Sequence, residues 1–310
     1  MNNLNKSDEI KEITLFANIG NIGRGVNHLL ILKDDRLALC SNNKSIKVYN
    51  IKDPSFPCDI HQKDAHSDCI IYISQTKDGR LLSSSLDKTI KIWEILKDHL
   101  KCLHTIQDNL KFISIIPLTY HRLCASNLNN KIIIYDDISY QQLFSFEIDG
   151  EFSQSVIQLK NKEILVSGTN SNVTFYDLNK IVQIKKINKV SCSQRNSIFQ
   201  INDELIAIGG KNIIYLINSK IYQIQICFED KLMRYIDSFA IINDNILLCG
   251  CYRGRLYQIN TMSFEIKFLR ESNDESSINT IAILSPNTII TGSNVKHLRL
   301  YKITINNEKM

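Results

Sequence analysis

AHSDCIIYISQTKDGRLLSSSLDKTIKIWEI, residues 65–95, holds three short apolar runs, 70–73, 81–85 and 90–95, separated by turn formers. Asp78-Gly79 lies between the first two and Asp87-Lys88 between the second and third. Short runs rich in β-branched residues and bounded by Asp, Gly or Ser read as strands, and an Asp-Gly link between two of them reads as a hairpin. The stretch predicts a three-stranded antiparallel meander.

The same order of turn, strand, tight turn and strand recurs six more times. The first apolar residue after each outer hairpin turn is Leu37, Leu81, Leu123, Ile164, Leu205, Ile246 and Ile289, at intervals of 44, 42, 41, 41, 41 and 43. A steady period of about 40–45 residues with several strands per period is the signature of propeller blades. The preceding turns are Asp34-Asp35, Asp78-Gly79, Thr119-Tyr120, Asn161, Asn202-Asp203, Asn243-Asp244 and Pro286-Asn287, most of them good turn formers. The third strands end in Tyr49, Trp93, Tyr135, Tyr176, Leu216, Ile259 and Tyr301, so an aromatic anchor gives way to an aliphatic one in the fifth and sixth copies.

Residues 65–95 resemble the WD-repeat family through the Ala65-His66 opening, the Asp-Gly turn, Ser83-x-Ser85-x-Asp87 and Ile-Lys-Ile-Trp93-Glu. The resemblance implies an all-β, seven-bladed WD-repeat β-propeller. It also implies a structural network running from Trp93 through Ser83 or Ser85 to His66 and Asp87. A buried indole ring covers roughly 150–250 Å² and its N–H requires an acceptor, which such a network supplies. The other copies depart from the pattern: the tight-turn Asp is Asn43 in the first, Asn129 in the third, Arg253 in the sixth and Val295 in the seventh.

The seventh copy supplies only three strands before the chain reaches Asn306 to Met310. EITLFANI at 12–19 is the expected fourth, closing the ring by pairing with the last blade and hiding its edge. This divides the chain into a flexible N-terminus at 1–11, one propeller domain at 12–305 and a polar tail at 306–310. With 44% apolar residues and no Pro/Gly/Ser-rich linker, one domain suffices. No apolar stretch reaches the roughly 18 residues of a spanning helix, and the first dozen residues are too polar for a secretion signal, so a cytoplasmic or nuclear protein is expected.

Nine cysteines form no C-x-x-C pair, and Cys249-x-Cys251 would need outside partners to hold zinc. They read as reduced, small apolar residues, with no metal and no cofactor. There is no G-x-S-x-G, H-E-x-x-H or phosphate-binding glycine motif, so the chain reads as non-catalytic. A net charge of +5 and a pI near 8.6, with dispersed lysines, do not make a nucleic-acid stripe.

What remains is surface recognition. In the family, partners dock on the face formed by the loops leading into the innermost strands and by the tight turns between second and third strands. Here those positions hold Arg24, Asp68, Lys111, Arg195 and Arg234, and Asn42, Leu86, Leu128, Tyr252, Arg253 and Asn294. The basic bias suits acidic or phosphorylated peptides, because guanidinium groups bind carboxylate and phosphate in bidentate fashion. The expected function is a protein-interaction scaffold or adaptor with Arg24, Lys111, Arg195, Arg234, Tyr252 and Arg253 at the docking face. Three alternatives stand beside it. Phosphoinositide-binding propellers carry F-R-R-G, where this chain has Tyr252-Arg253-Gly254-Arg255 with the pair split. Ubiquitin-ligase substrate receptors carry W-D-x-R, where this chain has Trp93-Glu94-Ile95-Leu96. The third is a propeller enzyme with its site at the channel mouth.

Overall fold

Each copy of the repeat folds into a four-stranded antiparallel sheet, and seven such sheets stand around a ring. The computed structural model describes residues 9–20, 22, 23, 25–148, 153–168, 172–190, 192, 197–272 and 276–306. Blade 1 contains strands Val26–Ile31, Arg36–Ser41, Ile46–Asn50 and Cys58–Gln62; blade 2 contains Ile70–Gln75, Leu81–Ser85, Thr89–Ile95 and Leu100–Gln107. Blades 3 to 7 begin with inner strands Phe112–Leu118, Ser153–Gln158, Ile198–Gln200, Ile236–Asn243 and Ile278–Ser285. Each inner strand touches the inner strands on both sides, and the last touches the first.

Burial explains the layering. Beyond their first residue, which is a half-buried Arg36, Arg122 or Thr288 in blades 1, 3 and 7, the second strands carry mostly apolar or small residues, as in Leu81–Ser85, and are buried because a neighbouring blade covers each face. The outer strands, such as Leu100–Gln107, are mostly exposed. The apolar core is divided among the seams. Seven clusters of buried residues among those described each join two adjacent blades, as Ile46, Val48 and Ile60 of blade 1 join Ile70, Leu81 and Trp93 of blade 2.

The ring closes through the N-terminus. Strand Glu9–Ile19 pairs antiparallel with the last strand, Leu298–Asn306, placing Ile13 opposite Ile303 and Leu15 opposite Tyr301. The ladder is longer than the sequence suggests. Glu9 and Ile10, assigned above to the flexible terminus, already pair, opposite Asn306 and Ile305, with Lys11 at a bulge, and Asn306 belongs to the strand rather than to the tail. Ile10 explains the extension: its side chain is fully buried in the seam between blades 6 and 7, and its amide donates to Gln258 Oε1 at 2.8 Å.

The anchors behave in two ways. In blades 1, 2, 3, 4 and 7 the aromatic anchor lies directly opposite the first residue of the second-strand run, as Trp93 lies opposite Leu81. In blade 6 Ile259 faces Leu247, which stands where Leu81 does, so the register is kept and only the ring is lost; in blade 5 the tight turn is one residue shorter and Leu216 faces Ala207. The inner strands also enclose a cavity of about 590 Å³, lined by apolar side chains such as Ile157, Phe199 and Ile241 and by His28 stacked on Tyr72 at 4.1 Å between centroids.

Candidate functional site

Blade 2 carries a continuous polar network. Trp93 Nε1 donates to Ser83 Oγ at 2.8 Å, Ser83 Oγ lies 2.7 Å from His66 Nε2, and His66 Nδ1 lies 2.9 Å from Asp87 Oδ2. Asp87 also accepts from the Ser67 amide at 2.9 Å, the Thr89 amide at 2.9 Å and the Thr89 hydroxyl at 2.6 Å. Of the two candidate serines, Ser83 joins the network. Ser85, two residues on along the buried strand, instead donates to the Cys69 carbonyl at 2.9 Å and accepts from the Asp87 amide at 3.1 Å, holding the tight turn to the loop before the inner strand. Burial pushes the Asp87 carboxyl up, but hydrogen bonds from His66, Thr89 and Ser67 outweigh it and hold the group well below the usual carboxylate range. Burial lowers His66, with Asp87 opposing. Every polar atom along this path has a partner, which is the arrangement of a stability device.

The tight turns and the loops leading into the inner strands meet at one end of the ring, the front face. Main-chain hydrogen bonds fix this in four blades: Asn42 N to Gly25 O, Leu86 N to Cys69 O and Leu128 N to Lys111 O, each at 3.0 Å, and Tyr252 N to Tyr235 O at 2.9 Å. The structure thus places Lys111 beside the tight turn of blade 3, and Arg234, Tyr252 and Arg253 together on blade 6. Lys111, Arg234 and Arg253 are exposed, and blades 3 and 6 stand apart around the ring. Arg24 and Arg195 lie outside the described residues.

Blade 6 concentrates cations and rings. The Arg234 guanidinium sits 5.1 Å from the Tyr252 ring centroid, and Tyr235 packs edge-on to Tyr252 at 6.3 Å. Arg253 adopts φ 61°, followed by Gly254 at φ 65°. The glycine suits this region, whereas a non-glycine residue in the left-handed region costs about 1–2 kcal/mol. Arg255 is turned aside, bonding the Leu232 carbonyl and pairing with Glu271 at 3.2 Å. That contact separates it further from Arg253 than the intervening glycine alone.

Sequence reasoning missed Asp237, which lies under this cluster at the start of the inner strand. It is 1% exposed; burial raises its pKa to about 7, with the Ser277 hydroxyl acting in the opposite sense. The bulge residues at the same place in blades 1 and 7 are amides. Asn27 Nδ2 donates to Ile70 O at 2.7 Å and Asn279 Nδ2 to Val26 O at 2.8 Å, each reaching the next blade. Only the pairing register, and not local sequence, aligns Asp237 with these asparagines. Cys249 and Cys251 lie nearby with sulfurs 3.4 Å apart, and burial pushes the Cys251 thiol well up. No group of three His, Cys, Asp or Glu side chains able to hold a metal ion occurs among the described residues.

The family model described as WD domain, G-beta repeat matches residues 58–94. The match begins in the outer strand of blade 1, Cys58–Gln62, and ends in the third strand of blade 2, so the repeat in sequence is offset by one strand from the blade in space. The same offset requires the N-terminal strand to complete the last blade. With this match, the seven four-stranded blades in a ring make a seven-bladed β-propeller that carries a WD repeat at its first two blades, which supports membership of the WD-repeat propeller family.

Proposed function

We propose that this WD-repeat propeller is a non-catalytic scaffold whose front face, at blade 6, captures an acidic or phosphorylated segment of another protein. Propellers of this family generally bind other proteins, and the residues at this face carry the finer reading. The observation behind it is the blade 6 cluster: Arg234 held over Tyr252, with Arg253 beside it in a left-handed turn. Left-handed non-glycine residues also occur in the tight turns of blades 1 and 2, at Lys44 and Lys88, so the conformation of Arg253 serves to present its side chain and the pairing of cations with rings carries the reading. Guanidinium groups oriented by aromatic rings offer planar donors for carboxylate or phosphate oxygens with little further ordering.

The test is capture of partners from cell extract by the wild-type chain and by an Arg234→Glu/Arg253→Glu variant, read by mass spectrometry, with phosphatase treatment as a second arm. The reading requires that the double reversal lose partners which wild type retains, that their release increase with salt, and that melting temperature stay unchanged. Equal recovery by both proteins overturns it.

A further inference from the structure

We propose a second docking surface, distinct from the front face: the outer edge of blade 4, which takes an extended acidic peptide as a fifth strand, with one apolar side chain of that peptide seated between blades 3 and 4. The outer strand, Val182–Asn188, reads VQIKKIN and has no partner on its outer side, because its sheet ends there. Ile181, Val182 and Ile184 are 53%, 46% and 37% exposed, an apolar run left open to water. An exposed strand edge is a template for another strand, since its outward N–H and C=O groups are unpaired.

Three features select the occupant. First, a cavity of about 240 Å³ opens beside this edge, lined by Phe146 of blade 3 and by Tyr176, Leu178, Ile181 and Val182 of blade 4, with Glu147 and Asp177 among its polar lining. The rings of Phe146 and Tyr176 pack tilted at 44°, with centroids 4.8 Å apart, and form an apolar wall, while Asp177 is engaged by the amides of Asn179 and Lys180. Such a cavity fits one bulky apolar side chain. Second, Lys185 and Lys189 are exposed and Lys186 half-exposed along the same strand and the residue that follows it. A second copy of this chain pairing edge to edge would bring these lysines against one another, so self-association is disfavoured and an acidic strand is favoured. Third, the strand has one bulge, where the register shifts between Phe175 and Tyr176 around Ile184, leaving Lys185 to Asn188 in regular register with blade 4. The regular part pairs with the peptide and the bulged part aims the chain at the cavity. By contrast, the edge of blade 6 is partly covered by the N-terminal strand, with Lys267 Nζ bonding the Ile10 carbonyl at 3.1 Å, and the edge of blade 5, QIQICFE, carries no cation.

The experiment pans a phage-displayed library of random peptides against the full chain, with counter-selection against Ile181→Asp/Lys185→Glu/Lys186→Glu. Enriched peptides are then synthesised and measured by fluorescence anisotropy and by hydrogen exchange. The proposal expects peptides that combine acidic residues with a bulky apolar one and that slow amide exchange at 185–188. It also expects the triple variant to weaken them at least about tenfold, as loss of charge-assisted contacts requires. Lys185→Ala/Lys186→Ala, which adds no new charge, should weaken them in the same direction if the triple variant folds poorly. The front-face variant Arg234→Glu/Arg253→Glu should bind them as wild type does, so failure here and failure of the front-face reading are separate results. No enrichment, enriched peptides without acidic residues, or protection appearing at the blade 6 turn instead overturns the proposal.

Discussion

Blades 2 and 6 occupy the same architecture with opposite solutions to the same positions. Aligned through their ladders, in which Tyr72 faces Ser84 and Ser238 faces Gly250, the network residues His66, Ser83, Asp87 and Trp93 of blade 2 correspond to Leu232, Cys249, Arg253 and Ile259 of blade 6. All four polar or aromatic members have gone together. The pattern is physically sensible, because a half-satisfied buried network is worse than an apolar core, so losing one member removes the reason to keep the rest. Blade 2 holds its turn by side-chain hydrogen bonds. Blade 6 holds its seam by apolar packing and frees its turn to carry Arg253, while keeping one buried acid.

The largest expected effect tests the blade 2 half of this contrast. Trp93→Ala removes a ring that is 3% exposed and strands Ser83 without its donor, so the loss in unfolding free energy should be about 3–5 kcal/mol by chemical denaturation. Ile259→Val, at the matching position of blade 6, should cost only about 0.5–1.5 kcal/mol. Losses of similar size would show that blade 2 owes nothing special to its network.

Asp237 gives the next effect, and it depends on pH. Its pKa lies near 3.8 when unfolded and about 7 when folded, so the folded chain binds the proton more tightly. Its contribution is therefore fully present below about pH 4 and is lost as pH rises through 7. An amide at this position, as in Asn27 and Asn279, removes the titration. Asp237→Asn should raise stability at pH 8 by about 2–4 kcal/mol, three pKa units at about 1.4 kcal/mol each setting the ceiling, and should change little at pH 4. His28, lowered by burial to about 4, and His66, also lowered, act in the opposite sense and lose stability as pH falls below 6.5 in both proteins. Melting curves of the pair across pH 4–9 decide it; an equal shift at every pH would mean that Asp237 is not the group that titrates.

The ring of seven blades was legible because its cues are local: a period of 41–44 residues, Asp-Gly and Asn-Asp turns, and aromatic anchors at fixed offsets. The blade 2 network was legible down to a choice between two serines two residues apart. Ser83 and Ser85 are both fully buried, and what separates them is the tight turn, which takes Ser85. The blade 6 features were not legible. That Asp237 matches Asn27 and Asn279 depends on the bulge in the inner strands of blades 1, 6 and 7, which shifts register by one residue, and that Arg253 takes the left-handed conformation depends on the geometry of its own turn, 252–254. The extent of the N-terminal strand escaped for a similar reason, since Ile10 is buried by blade 6 rather than by its sequence neighbours.

A smaller effect separates the two blades at their second strands. Ser83→Ala leaves the Trp93 indole and His66 Nε2 without a partner inside a buried site, which should cost about 1–3 kcal/mol. Cys249→Ala empties a little volume beside Cys251 but strands no obligatory polar group, and about 1 kcal/mol is expected. The test is sharper as a double-mutant cycle with Trp93→Phe, because Ser83 should couple to the indole N–H and Cys249 should not. Additive effects of Ser83→Ala and Trp93→Phe would mean that the 2.8 Å contact carries no energy of its own.

The smallest expected effect on stability falls on the turn that distinguishes blade 6. Arg253→Asn keeps a residue that tolerates φ 61° and discards the guanidinium. Because the side chain is exposed and the left-handed strain is relieved rather than increased, stability should hold or rise by less than about 1 kcal/mol. Asp87→Asn, at the aligned position of blade 2, should cost more, since it exchanges the carboxylate that gathers His66, Thr89 and Ser67 for an amide with one acceptor. If the front face binds an acidic segment, Arg253→Asn weakens capture while its melting temperature stands still, and Asp87→Asn lowers the melting temperature while capture by the folded fraction persists. That crossed result would assign folding to one tight turn and recognition to the other. A loss of stability at Arg253 comparable to that at Asp87 would show that both turns serve the fold alone.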